Sequence, residues 1–170
     1  MLTLPALRKG TILMHKFFLP CIPPRATAQS TTKVFRKPDG SLFLGKDNRG
    51  QATRDELFLL LRPFAPKTPL KGALRVAVAW RYPFNKGAPK KDRLRGVAPC
   101  TVRPDCDNLA KLFLDCMTRL RFWEDDAQIY ELAFSKVYAE ESGIAVEIDD
   151  EAPAALTPAF ANALQMELSL

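Results

Sequence analysis

The stretch Pro104-Asp105-Cys106-Asp107-Asn108-Leu109-Ala110-Lys111-Leu112-Phe113-Leu114-Asp115-Cys116-Met117, answered by Trp123-Glu124-Asp125-Asp126-Ala127-Gln128-Ile129, decides how this chain is read. Leu109, Leu112, Phe113, Cys116, Met117 and Leu120 recur every three or four positions, which predicts an amphipathic helix over about 108–120. Asp107 falls where an N-cap belongs. Asp105 stands two residues ahead of it, and in an extended segment both side chains point to one face with Cys106 on the other. Lys111 follows one helical turn after Asp107, off the apolar stripe. Two acids and a lysine therefore converge where an extended segment enters a helix.

Such a cluster calls for a counter-charge. Two carboxylates about 4 Å apart repel by ~4 kcal/mol at an effective dielectric of roughly 20. Left alone, one of them protonates or the pair spreads. Oxygen ligands with an open coordination sphere suit Mg²⁺, with Mn²⁺ as a substitute. Asp126 is the candidate third ligand. A helix of this length runs ~20 Å, and the segment from Arg121 to Asp126 spans about the same when nearly extended. Asp126 can thus just return to the start of its own helix, or it can meet the pair from a second subunit. Each residue also has a plainer role: Asp107 as an N-cap, Lys111 with Asp115 as an i,i+4 ion pair worth a few tenths of a kcal/mol, and Glu124 and Asp125 as solvated loop acids. Those roles, taken singly, leave the compactness of the pattern unexplained.

Outward from this stretch, charge is strongly polarised. Residues 1–104 carry 21 Lys and Arg against 5 Asp and Glu, a net +16, whereas residues 105–170 carry 4 against 14, a net −10. A basic part suits a phosphate backbone and an acidic part suits metal binding; the plainer reading is mutual neutralisation across the fold. The 170 residues suffice for one domain with a hydrophobic core. Cys21, Cys100, Cys106 and Cys116 form no CxxC pair, and with His15 their spacing is unlike that of zinc modules, so reduced intracellular thiols are expected. Arg8, Lys9, His15 and Lys16 interrupt any apolar leader. The longest uncharged stretch, 152–166, is shorter than the ~20 residues of a membrane span. A soluble, cytoplasmic protein is expected.

Residues 1–11 read as a flexible extension and 12–22 as a first strand. Residues 33–44 read as a hairpin about Pro38-Asp39-Gly40. Thr53, with Glu56 at capping-box spacing, is expected to start a helix that runs to Arg62. Leu74, Val76, Val78, Trp80 and Tyr82 alternate, which marks a central or half-buried strand. Residues 83–103 read as a long loop in which Lys86, Lys90, Lys91, Arg93, Arg95 and Arg103 face one acid, Asp92; these cations are candidate DNA contacts. Residues 128–138 read as a strand with Tyr130, Leu132 and Phe134 on one face. Ser142-Gly143 turns into a last strand, 144–148, expected to lie antiparallel to it. Residues 149–170 form an acidic, Ala-rich tail. The sum is a single α/β (α+β) domain over 12–148, a mixed sheet with flanking helices.

Residues 103–117, RPDCDNLAKLFLDCM, followed by residues 122–141, FWEDDAQIYELAFSKVYAEE, resemble the RusA family of Holliday junction resolvases, common in prophage-bearing bacteria. The match is strong over about 99–148, looser over 14–98, and does not cover the tail. The resemblance implies a RusA-like fold and a homodimeric, Mg²⁺-dependent endonuclease that nicks four-way DNA junctions symmetrically. It places the two leading catalytic aspartates on Asp105 and Asp107, the lysine on Lys111, and the third aspartate, by spacing, on Asp126 rather than Asp125. Asp105, Asp107 and Asp126 would be the metal ligands; Asp115, Asp125 and Lys136 form a second tier. Cys106 stands where the family usually has an apolar residue, and Met117-Thr118-Arg119 replaces a run of smaller residues. Two other readings stand beside this one: an Mg²⁺ nuclease for other branched or duplex DNA, and a non-catalytic nucleic-acid-binding protein.

Overall fold

A computed structural model describes residues 15–26, 32–46 and 49–150. Its elements are β1 (His15–Leu19), β2 (Thr32–Arg36), β3 (Leu42–Lys46), α1 (Arg49–Leu61), a 3₁₀ turn (Arg62–Phe64), β4 (Leu74–Pro83), α2 (Lys90–Leu94), β5 (Val97–Pro99), α3 (Cys106–Arg119), a second 3₁₀ turn (Asp126–Gln128), β6 (Ile129–Ala139) and β7 (Gly143–Asp149). Five strands form one sheet in the order β1-β7-β4-β6-β5, while β2 and β3 form a separate hairpin. Among the paired strands described, β4 and β6 run parallel and the other pairs antiparallel.

The alternation in β4 does what its pattern predicts. Leu74, Val76, Val78, Trp80 and Tyr82 are all buried, and β4 is the central strand. They share one core with Leu57 and Leu61 of α1 and with Leu109, Leu112, Phe113, Cys116 and Met117 of α3. Trp80 meets Phe113 edge to face, with centroids 5.6 Å apart and planes at 87°, a favoured aromatic geometry. The α3 stripe is therefore spent on the core, which leaves Asp107 and Lys111 exposed. At the other edge Gly143 lets β7 approach β1: a Cβ there would lie 2.5 Å from the Leu19 carbonyl oxygen.

Several expectations need correction. Thr53 does not cap α1: the helix already runs from Arg49, and Thr53 is buried within it, one and two turns before Leu57 and Leu61. Residues 83–103 are not all loop. Lys90, Lys91 and Arg93 there lie in a short helix, α2, and Val97–Pro99 adds an edge strand to β6. A three-residue strand containing proline is too short to show a period. β6 and β7 run in opposite directions but are not paired with each other; β4 lies between them, with β7 bonded to β4 and β1. The buried faces of β7 and β4 draw them together. In β6, Leu74 pairs with Ile129 and Arg75 with Glu131, so Tyr130 is an extra residue. Beyond this bulge, Leu132, Phe134, Lys136 and Tyr138 lie opposite Val76, Val78, Trp80 and Tyr82. Strand β7 runs through Asp149, one residue past the expected domain boundary. The proposed extension, 1–11, the start of the first strand, 12–14, and the tail from 151 lie outside the described residues.

Candidate active site

Helix α3 begins earlier than its apolar stripe suggests. Its N-cap is Asp105, with extended backbone (φ −73°, ψ 150°), and Asp107 lies inside the first turn. The two acids are thus not alternate residues of a strand, as expected, but the cap and the first turn of one helix. Asp105, Asp107 and Lys111 are exposed. The Asp105 side chain makes no capping hydrogen bond. Among the described residues, neither carboxylate has a hydrogen-bond or ion-pair partner, and Lys111 and Asp115 form no ion pair. The N-cap and i,i+4 roles open to these residues are both unrealised. What the helix does supply is the positive end of its dipole, which favours anionic side chains there.

A lysine fixes the approach to this helix. Lys136 points to the helix-covered side of β6, opposite Trp80, and its Nζ donates to the carbonyl oxygens of Val102 and Pro104. The Cys100 amide donates to the Lys136 carbonyl oxygen at 3.0 Å. The chain is therefore pinned to β6 at three points just before Asp105. This role was missed by pattern reading, although a signal existed: Lys136 is the one basic residue of β6 and shares the parity of Leu132 and Phe134.

Asp126 lies elsewhere. It opens the 3₁₀ turn that leads into β6, exposed beside Asp125, whose side chain caps the turn by accepting from the Ala127 amide at 2.8 Å. The Gln128 side chain accepts from the amides of Glu124 and Asp125 and donates to the carbonyl oxygens of Leu70 and Gly72. Leu70 and Gly72 immediately precede β4, so this corner sits where β4 and β6 start. Asp105 sits near Lys136, seven residues along β6, about 23 Å away at strand rise. A fourteen-residue α3 spans about the same distance. The return of Asp126 to the helix start, one of the two routes open from the sequence, does not occur. Among the described residues no three His, Cys, Asp or Glu side chains lie close enough together to hold a metal ion. The chemistry of the donors still fits a hard cation, because Asp105, Asp107 and Asp126 all present carboxylate oxygens with no protein partner.

The basic side chains gather at the Asp105 end. Lys86, Lys90, Lys91 and Arg95 are exposed on the connection between β4 and β5, and Arg103 is exposed just before Asp105. Arg93 is half-buried: it donates to the Asn85 carbonyl oxygen at 2.8 Å, pairs with Glu140 at 3.4 Å and lies over the Phe84 ring. Its first task is to hold the loop. Arg25 reaches the same end, over the Tyr82 ring at 4.1 Å.

The family model for endodeoxyribonuclease RusA matches residues 23–149. A crossover junction endodeoxyribonuclease rusA of Lactococcus phage r1t is 48% identical over 50 residues, covering 29% of this chain and 38% of that protein. The protein YqaN of Bacillus subtilis (strain 168), described as uncharacterized, is 29% identical over 122 residues, covering 66% of this chain and 85% of that one. The aligned part of the chain thus spans well under half the length of the phage relative.

Proposed function

Since the chain belongs to the endodeoxyribonuclease RusA family, we propose that it is a divalent-metal-dependent endonuclease that resolves four-way DNA junctions by paired, symmetrical nicks. The observation that carries this reading is the set of exposed, unpartnered carboxylates beside Lys111, at the end of the sheet where the basic side chains collect. The helix dipole favours such acids but leaves their oxygens free, and a metal-assisted phosphodiesterase would use them.

Asp105 and Asp107 from one subunit, with Asp126 from a second, would hold Mg²⁺ or Mn²⁺. The separation of the two ends of α3 supports this shared arrangement. A two-fold dimer reverses one subunit relative to the other, so that each start of α3 can meet the partner's Asp126 corner, giving two sites. The bound ion would lower the pKa of a water and clamp a non-bridging phosphate oxygen. Lys111 sets its ammonium beside the phosphate, where it offsets the charge that develops on the phosphoryl oxygens. Lys136 holds Asp105 in register for this. In-line attack by water breaks the P–O3′ bond and leaves a 5′ phosphate and a 3′ hydroxyl, so the nicks are sealable. Lys86, Lys90, Lys91, Arg95 and Arg103 hold the DNA arms through phosphates, and binding falls steeply with salt.

The test pairs a synthetic four-way junction with flaps, forks and plain duplex, in the presence of Mg²⁺, using the full chain and Asp107→Asn. Symmetrical nicks confined to the junction, lost in the variant while junction binding persists, are expected. Equal cleavage by Asp107→Asn sinks the metal assignment; preference for flaps or duplex sinks the junction assignment.

A further inference from the structure

The β4–β5 connection does more than carry positive charge. Between it and the β5–β6 edge lies a cavity of about 440 Å³, lined by Phe84, Asn85, Pro89, Asp92 and Tyr138 among others. This is within the range of small-ligand sites. Phe84 and Tyr138 are near-parallel, with centroids 6.3 Å apart and planes at 24°. The Arg93 guanidinium lies 5.4 Å from the Phe84 centroid and is fixed by Asn85 and Glu140. The aromatic wall is therefore held from outside rather than by the cavity's contents. Asp92 is half-buried, and among the described residues its carboxylate has no hydrogen-bond or ion-pair partner. It is the one acid in a segment otherwise rich in Lys and Arg.

We propose that this cavity takes a single nucleobase unstacked from the DNA next to the cleaved phosphate, and that Asp92 selects bases whose edge offers an amino group. The inference rests on the nuclease reading above and adds to it a specificity site. Each part of the cavity has a chemical reason. Aromatic rings offer a face on which an unstacked base regains the stacking it lost. A carboxylate accepts from the exocyclic amino group of cytosine, adenine or guanine. Thymine flanks its one ring N–H with two carbonyl oxygens, which a carboxylate repels. Lys86, Lys90 and Lys91 stand beside the cavity to take the phosphates of the same strand.

The position also fits. Ala98 and Pro99, in the cavity wall, pair with Tyr138 and Val137, and the next residue, Cys100, bonds to Lys136. Lys136 in turn holds Pro104, next to Asp105. The cavity is thus about two strand residues from the point that fixes Asp105, or ~7 Å. That distance is one to two nucleotides along a backbone.

The experiment measures binding and cleavage separately. Junctions carrying A, C, G, T or an abasic residue at each nucleotide beside the crossover are titrated with the full chain in Ca²⁺ and with Asp92→Asn and Phe84→Leu. At one position the full chain should bind amino-bearing bases on the order of tenfold more tightly than thymine or the abasic residue. Asp92→Asn should erase the discrimination against thymine while still disfavouring the abasic residue, and Phe84→Leu should weaken binding of every base relative to the abasic residue. A flat base profile in the full chain, or an unchanged profile in Asp92→Asn, overturns the proposal. A parallel cleavage assay of the full chain in Mg²⁺ keeps the two claims apart: base discrimination without cleavage leaves the cavity standing and removes the nuclease reading, whereas cleavage with a flat profile does the reverse.

Discussion

Where β4 and β6 finish, two carboxylates stand at a helix start among Lys86, Lys90, Lys91, Arg95 and Arg103, and one lysine, Lys136, holds the backbone that presents them. Where the same strands begin, Asp126 stands beside Asp125 and Glu124, and one glutamine, Gln128, holds the turn through four hydrogen bonds. On the proposed reading, the first end would grip a phosphate but offer a metal two ligands. The second end has a well-fixed carboxylate, and there the exposed Lys71 sits 3.9 Å from Glu124. Each end supplies what the other lacks, and about 23 Å of strand keeps them apart. On the proposed reading, the contrast teaches that one subunit would hold the parts of a site without assembling them, and that two antiparallel subunits would bring them together.

The experiment with the largest expected effect joins the two ends directly. Asp107→Asn and Asp126→Asn should each reduce junction cleavage at least about 100-fold, since each would remove a proposed metal ligand. Mixed and allowed to exchange subunits, they should recover about a quarter of the full activity, because half the dimers become mixed and each mixed dimer carries one intact site. The recovered product should be nicked on one strand rather than two. Absence of recovery, with subunit exchange verified, would mean that Asp107 and Asp126 serve the same subunit.

A smaller effect is expected from loosening the first end alone. Lys136→Met keeps the length of the side chain and removes its donors, so the carbonyl oxygens of Val102 and Pro104 lose their shared partner. Cleavage should fall about tenfold with junction binding nearly unchanged, and the melting temperature by a few degrees. Lys136→Arg should restore part of the cleavage. If Lys136→Met loses stability but keeps full cleavage, the lysine is a strut and does not position Asp105.

The two ends also differed in how far the sequence revealed them. The alternation of Leu74 to Tyr82 and the stripe from Leu109 to Leu120 are local periodicities, and both predicted their elements, because burial on one face imposes them directly. Asp105, Asp107 and Lys111 were legible as a cluster for the same reason: all three lie within two turns of one helix. Asp126 was not, because its position depends on where β6 begins, which is set by pairing with Leu74 and by the Tyr130 bulge, and distant pairing leaves no local period. The insertion of β4 between β6 and β7 was hidden likewise. Thr53 misled because a Thr three residues before Glu has the spacing of a capping box even when it is buried mid-helix. Lys136 was visible only as an inward-facing lysine, and its carbonyl partners come from a different part of the chain.

The smallest effect compares the ends through the cysteines of α3. Cys106 is exposed at the helix start, between the two aspartates, while Cys116 is buried toward the other end. Burial pushes the Cys116 thiol up to about 11. The thiolate is the reactive form, so at pH 8 only about one Cys116 in a thousand is ionised while it stays buried, and its labelling waits on opening of the fold. Cys106 should therefore be labelled first by a thiol reagent at pH 8, with Cys116 following through local opening of the fold. Gln128→Ala removes the hydrogen bonds that tie the Asp126 turn to Leu70 and Gly72. At about 1 kcal/mol lost for that end, opening should rise about fivefold, and Cys116 labelling with it, while Cys106 labelling stays the same. A rise at both cysteines would mean that the helix loosens as a whole, and the separate anchoring of its two ends would fall with that result.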